Sequence, residues 1–208
     1  MSWSKIEMAK EVIELFKKDS SVNLGIGLPT LVAEHIPESM NIMIHSENGV
    51  LGVKGRPKNS EVSATLINAG KETISINDSA SFFDSSLSFG MIRGGHIDYC
   101  VLGGMEVDTE RSLANWMIPG KKVTGMGGAM DLVNGSKCVI IMMGHFNKSG
   151  ESKLKKVCEL PLTGLAVVDI VVTDYGVFKP NGNKFEIIKL ASGIEKEDLK
   201  ELDLYEEK

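Results

Sequence analysis

Glycines clustered beside short apolar runs most narrow what this chain can become. The 22 glycines form no low-complexity tract; they gather at Gly25/Gly27, Gly49/Gly52/Gly55, Gly94/Gly95, Gly103/Gly104 and Gly125/Gly127/Gly128. Each cluster lies beside a run that reads as a strand, or at a turn. Glycine lets the backbone come close to a ligand with no Cβ between them. The pattern therefore describes a protein that holds something at several strand ends.

The runs between the glycines alternate in period. Residues 6–18 place Ile6, Ala9, Val12, Ile13 and Phe16 on one helical face. Residues 22–26 read as a strand, followed by a helix entered at Pro29 and carrying Leu31, Val32 and Ile36. Strands are expected at 42–44, 73–76, 99–102, 139–143 and 167–173, the last strongly β-branched. A polar stretch at 54–63 reads as a mobile surface loop, and 81–89 as a short helix capped from Asp78 or Ser79. Asn181-Gly182-Asn183 between two apolar runs is a hairpin signal. The charged tail from Glu195 has a helical pattern with Ile194, Leu199 and Leu202 as its stripe. Alternating strands and helices predict an α/β fold: an open, largely parallel twisted sheet with helices on both faces. No repeat or linker is visible, so residues 1–208 are expected to form a single domain.

Composition removes several classes of function. A net charge of -5 argues against nucleic acid as the main partner, though a local basic patch can still hold an anion. Cys100, Cys138 and Cys158 are an odd, scattered set with neither a disulfide framework nor a zinc spacing. His35, His45 and His145 show no metal spacing, so no metal is expected. The first residues lack the apolar core of a signal peptide, and no apolar stretch approaches the ~18 residues of a membrane span. A cytoplasmic setting, with no membrane partner, is the expectation.

Four segments carry candidate chemistry. Ser46-Glu47-Asn48-Gly49 follows the apolar run ending at His45, and Asn-Gly is a turn signal. The chain thus carries the Glu47 carboxylate out of a strand and leaves it at a bend, where open α/β sheets place their ligands. A strand-end glutamate is more often solvated or capping, and the tetrapeptide alone favours that plainer role. Asn23-Leu24-Gly25-Ile26-Gly27-Leu28-Pro29 runs from strand through glycines into a helix; it either presents backbone N–H groups to an anion or simply turns the chain. It is no dinucleotide fingerprint, because Pro29 and Thr30 stand where G-x-x-G would continue. Gly125-Met126-Gly127-Gly128-Ala129 exposes consecutive N–H groups suited to an oxyanion hole, or forms a bulge, and the lysines before it could attract a phosphorylated ligand. Arg93-Gly94-Gly95-His96-Ile97-Asp98 offers a base and an orienter on paper, but a structural turn is the favoured reading.

Read together and in order, these segments resemble the β subunit of the family I CoA-transferases. Phe83-Asp84-Ser85-Ser86 and Leu113-Ala114-Asn115-Trp116-Met117-Ile118-Pro119-Gly120-Lys121 add to the match, which runs from about Ile6 to Val172. The resemblance implies a scaffold shared with ribose-phosphate isomerases and gives Glu47 the role of catalytic nucleophile. Gly127, Gly128 and Ala129 match the backbone donors that face the reacting carbonyl. Asn23 falls beside the glutamate, and Gly25, Asn48 and Met126 fall in the substrate-binding segments. Lys71 and Asn115 stand where the family contacts CoA. The implied reaction moves CoA between short-chain carboxylic acids such as acetoacetate, butyrate and acetate, through a glutamyl-CoA thioester. No cofactor is bound permanently; coenzyme A is a substrate, attached covalently during turnover. The resemblance further implies an α subunit that completes the site, in an α2β2 assembly. The competing readings are a sugar-phosphate isomerase or ligand-sensing module in which Glu47 moves protons or only binds, and a non-catalytic structural partner.

Overall fold

A computed structural model describes residues 1–207. In chain order the helices are α1 (Lys5–Glu14), α2 (Ser85–Arg93) and α3 (Ala129–Gly135), with 3₁₀ segments at Leu28–Glu34, Glu38–Met40, Asn59–Glu61, Lys196–Leu199 and Leu202–Leu204. The strands are β1 (Ser21–Leu24), β2 (Met43–Ser46), β3 (Val50–Val53), β4 (Ile76–Phe82), β5 (Tyr99–Leu102), β6 (Glu106–Asp108), β7 (Leu113–Ala114), β8 (Met117–Ile118) and β9 (Lys122–Val123). They continue with β10 (Cys138–Met142), β11 (Leu154–Lys155), β12 (Ile170–Val172), β13 (Gly176–Pro180), β14 (Phe185–Leu190) and β15 (Tyr205–Glu207).

Ten strands form one sheet in the order β15-β14-β13-β12-β10-β5-β1-β2-β3-β4. The central strands β12, β10, β5, β1 and β2 are mutually parallel. Antiparallel neighbours β3/β4 and β13/β14 flank them, and β15 pairs parallel with β14. The sheet is thus parallel at its centre and mixed at its margins.

Strict alternation explains why helices cover both faces. Cys100 and Leu102, with Val139 and Ile141, pack under α2 and α3; Tyr99 and Val101, with Ile140 and Met142, pack under α1 and the segment Leu28–Glu34. Both faces being apolar is what buried parallel strands require, and each fully buried Val or Ile contributes about 1.5–3 kcal/mol. α1 starts at Ser4 through a capping box: the Glu7 N–H donates to Ser4 Oγ at 3.2 Å, and the Ser4 N–H to Glu7 Oε2 at 2.7 Å. Among the described residues no helix is long and apolar enough to cross a membrane.

Four expectations are corrected. The strand expected at 73–76 is β4, whose Ser81 and Phe82 pair with Leu51 and Val50; a polar edge strand gave no apolar run to find. The helix expected at 81–89 therefore begins only at Ser85, where Asp84 Oδ1 accepts from the Leu87 N–H at 2.8 Å. The tail is not one helix. Lys200 and Glu201 take positive φ, which interrupts it, and β15 then pairs with β14. The segment after Pro29 is 3₁₀ rather than α. A small sheet, β11-β6-β7, and a hairpin, β8-β9, stand apart from the main sheet and were not anticipated.

Candidate active site

The neighbours β5, β1 and β2 run parallel, so their carboxyl ends emerge at one edge of the sheet. From those ends come Gly103, Gly25 and Glu47. The chain leaves β1 toward β2 and returns on the other side of β1 as β5, which makes this edge the point where strand order reverses. A cleft of about 680 Å³ opens there, a size ordinary for a small-molecule site.

Glu47 is half-buried at the first position after β2. The bend is closed by the Gly49 N–H donating to the Ser46 carbonyl at 2.9 Å. Gly49 has φ +110, and a Cβ there would sit 1.9 Å from the Phe83 carbonyl oxygen, so no other residue fits. Ser46 Oγ accepts from the Ala69 N–H at 3.0 Å, and Asn48 Nδ2 donates to the Ile67 carbonyl at 2.8 Å; these bonds tie segment 67–69 across the bend.

Gly128 is the other wall. A Cβ on it would lie 3.5 Å from Glu47 Cγ and 3.2 Å from the Phe89 ring, so the backbone reaches the carboxylate side chain because nothing stands between. The β8-β9 hairpin delivers this segment, leaving through Thr124, whose N–H donates to the Trp116 carbonyl at 3.0 Å. The Ala129 N–H is already donated to the Met126 carbonyl at 3.1 Å. Of the three expected donors, Gly127 and Gly128 have N–H groups with no acceptor among the described residues, while that of Ala129 is already used.

The structure brings Glu47, Gly25, Asn48, Asn115, Met126, Gly127, Gly128 and Ala129 to this one cleft. Asn23 lies directly behind, fully buried, with Nδ2 donating to Glu47 Oε2 at 3.3 Å. The Asn115 amide donates to the Gly103 carbonyl at 3.1 Å and accepts from Thr163 Oγ1 at 2.6 Å, fixing the wall that follows β5. Lys71 is exposed on the turn beyond Ala69; Ala69 lines the cleft and Lys71 does not.

Sequence reasoning weighed His45 only as a metal ligand and gave Ser88 no role of its own. His45 is 1% exposed, with Nδ1 3.0 Å from Asn23 Nδ2 and Nε2 3.0 Å from Ser88 Oγ. Burial lowers its pKa to about 4, so the ring is neutral at ordinary pH. The only signal was a polar residue interrupting an apolar run. Lys153 was passed over; its Nζ donates to the Gly104 carbonyl at 2.7 Å, and burial lowers its pKa to about 8.

The remaining motifs are structural. His96 is exposed. Asp98 accepts from the Ser21 N–H and from Lys137 at 2.8 Å each, and although burial opposes it, these bonds hold its carboxyl below the usual range. Burial pushes the Cys100 and Cys138 thiols up to about 12 and about 11, so neither offers a thiolate. Among the described residues no group of three or more His, Cys, Asp or Glu could hold a metal ion.

Known proteins resemble this chain over most of its length. The sequence model of the coenzyme A transferase family matches residues 6–195. The corresponding chain of the succinyl-CoA:3-ketoacid coenzyme A transferase of Helicobacter pylori strain J99 is 55% identical over 192 residues, 92% of each chain. The β subunit of the acetate CoA-transferase of Escherichia coli K12 is 45% identical over 192 residues, 92% of this chain and 88% of that one. An acyl-CoA transferase from Escherichia coli O157:H7 shares the fold, with a TM-score of 0.74 at 17% identity over 94% of this chain; the match spans 39% of that longer chain. The chain belongs to the coenzyme A transferase family, as one of its β-type transferase chains.

Proposed function

We propose that Glu47 is the nucleophile of a ping-pong CoA transfer between short-chain carboxylic acids. A Glu47 carboxylate oxygen attacks the thioester carbonyl of an acyl-CoA; the C–S bond breaks and CoA leaves as thiolate, giving an acyl-glutamyl anhydride. The thiolate then attacks the Glu47 carbonyl. The first acid departs as carboxylate, and a glutamyl-CoA thioester remains. A second carboxylate repeats the two steps in reverse, leaving as the new acyl-CoA and restoring Glu47. Anhydride and thioester both conserve the energy of the original bond, so CoA is a substrate and no resident cofactor is required.

The observation that carries this reading is the placement of the Glu47 carboxylate beside Gly128 with Asn23 at its back. The N–H groups of Gly127 and Gly128 are the donors for the oxyanion formed at each attack, and one such donor is typically worth ~3 kcal/mol. Asn23 Nδ2 serves the oxygen that stays on Glu47. The relatives' names point to a 3-keto acid, to succinate and acetate, and to a second chain; acetoacetate as that 3-keto acid, and butyrate as a further acid, are our own assignment. We assign this chain to an α2β2 cytoplasmic enzyme whose α subunit closes the cleft against water.

The test is intact-mass spectrometry of the complex with its α subunit. Mixing with acyl-CoA should add one CoA moiety to this chain, on Glu47, and a carboxylate acceptor should discharge it. An active complex that never carries CoA on this chain would refute the mechanism. This chain without the α subunit should show no turnover.

A further inference from the structure

The Glu47 carboxylate imposes an order on the side chains behind it. A carboxylate oxygen only accepts, so the Asn23 amide must turn its Nδ2 toward Glu47 Oε2, 3.3 Å away. The same Nδ2 lies 3.0 Å from His45 Nδ1 and 3.3 Å from the His45 carbonyl oxygen. A ring nitrogen facing a donor carries no proton. The proton of the neutral ring is then on Nε2, which donates to Ser88 Oγ at 3.0 Å. Asn23, His45 and Ser88 are all buried, and Phe83 stacks on the His45 ring at 6.2 Å between centroids.

Asn23 shows the cost of this order. Its Oδ1 is buried and, among the described residues, has no hydrogen-bond partner. An unpaired buried acceptor costs about 1–3 kcal/mol. Turning the amide over would pair Oδ1 with a ring bearing its proton on Nδ1, but would then set oxygen against the carboxylate. The chain accepts the orphaned acceptor and keeps Nδ2 on Glu47.

We infer that His45 is a positioning residue for Glu47: its unprotonated Nδ1, fixed by Ser88 at the other ring nitrogen, holds the Asn23 amide in the orientation that presents Nδ2 to the carboxylate. The inference rests on the reading of Glu47 as nucleophile. The device works throughout the cycle, because the carbonyl oxygen of an anhydride or thioester on Glu47 is also an acceptor.

Two substitutions separate positioning from packing. Asparagine at 45 puts an amide oxygen near the place of Nδ1, whereas glutamine reaches the place of Nε2. In the complex with the α subunit, His45→Asn should form the CoA adduct within about tenfold of the native rate, while His45→Gln should slow it about a hundredfold. The KM for acyl-CoA should change little in either. Equal losses, or none, would overturn the inference. A native complex that forms no adduct would overturn the nucleophile itself, and this role with it. Should both variants fail to fold, nitrogen-15 labelling of the four histidines in the native complex reads the tautomer directly: a proton on His45 Nε2 supports the role, and one on Nδ1 refutes it.

Discussion

His45 and His145 are the same chemical object in two settings. Both are buried in the sheet layer, burial lowers the pKa of each to about 4, and both have a hydroxyl within reach of a ring nitrogen. His45 stands at the end of β2, and its polar neighbours run through Asn23 to a carboxylate that faces a cleft. His145 stands beyond β10 inside an aromatic cage. Its Nδ1 lies 3.1 Å from Thr173 Oγ1, its Nε2 3.3 Å from Tyr205 OH, and its ring stacks on Tyr175 at 5.1 Å. That network ends on groups that fasten β12, β13 and β15 to one another. A buried, neutral histidine is therefore no sign of chemistry by itself; what lies at the far end of its hydrogen bonds decides.

The largest test of this contrast is Glu47→Gln. The isosteric amide should lower CoA transfer on the order of a thousandfold or more, because it removes the attacking oxygen. The thermal midpoint should hardly move, since Glu47 is half-buried and makes one long hydrogen bond. Next comes His145→Ala, with the opposite signature. It empties a fully buried site and removes the ring that Thr173 Oγ1 and Tyr205 OH face, so unfolding in urea should show a loss of about 3 kcal/mol. Turnover per folded molecule should stay within about twofold. Loss of activity without loss of stability would break the division between the two histidines.

Acid should act on both rings alike. Each is neutral in the folded protein down to about pH 4, while the unfolded chain protonates near the ordinary histidine value of 6.5. Above that value both rings are neutral in either state, and their full contribution to stability is present. As pH falls from about 6.5 toward 4, the unfolded state takes up protons that the native state refuses, and each ring costs about 1.4 kcal/mol per pH unit. Urea midpoints measured between pH 7.5 and 5 should fall accordingly, and a variant lacking one buried ring should show roughly half that slope.

How much of this was legible depended on how local the cause was. Tyr99–Leu102 could be read to the residue, because a strand buried on both faces is an uninterrupted apolar run. The hairpin around Asn181-Gly182-Asn183 was equally plain. Glu47 was legible as a strand-end carboxylate, and its partners through a resemblance spread over most of the chain. The sheet β11-β6-β7 was not, since its strands are two or three residues long and bury Glu106 and Asp108. Those carboxylates are tolerated because distant backbone comes to them: the N–H groups of Glu159 and Leu160 donate to Glu106, and that of Cys158 joins the nearby Ser112 N–H on Asp108. No window of sequence contains that bargain. The role of His45 was missed for the same reason, because Ser88 lies 43 residues away on α2.

The smallest predicted effect closes the comparison from its structural side. Tyr205 is 1% exposed, and its ring packs on Phe178 and Phe185 with centroids at 5.7 and 5.9 Å. Burial raises its phenol above the ordinary value, so the hydroxyl keeps its proton. Tyr205→Phe keeps every ring contact and removes only the oxygen beside His145 Nε2. The expected loss is about 1 kcal/mol, the ordinary worth of a single hydrogen bond, read as a lower urea midpoint with an unchanged slope. Adduct formation should be untouched. Ser88→Ala removes the matching hydroxyl from His45 and should slow adduct formation more than it lowers stability, because there the freed ring nitrogen loosens Asn23 and, through it, Glu47. If Tyr205→Phe slowed the chemistry as Ser88→Ala does, the two histidines would belong to one network, and the far end of the hydrogen bonds would not be what tells them apart.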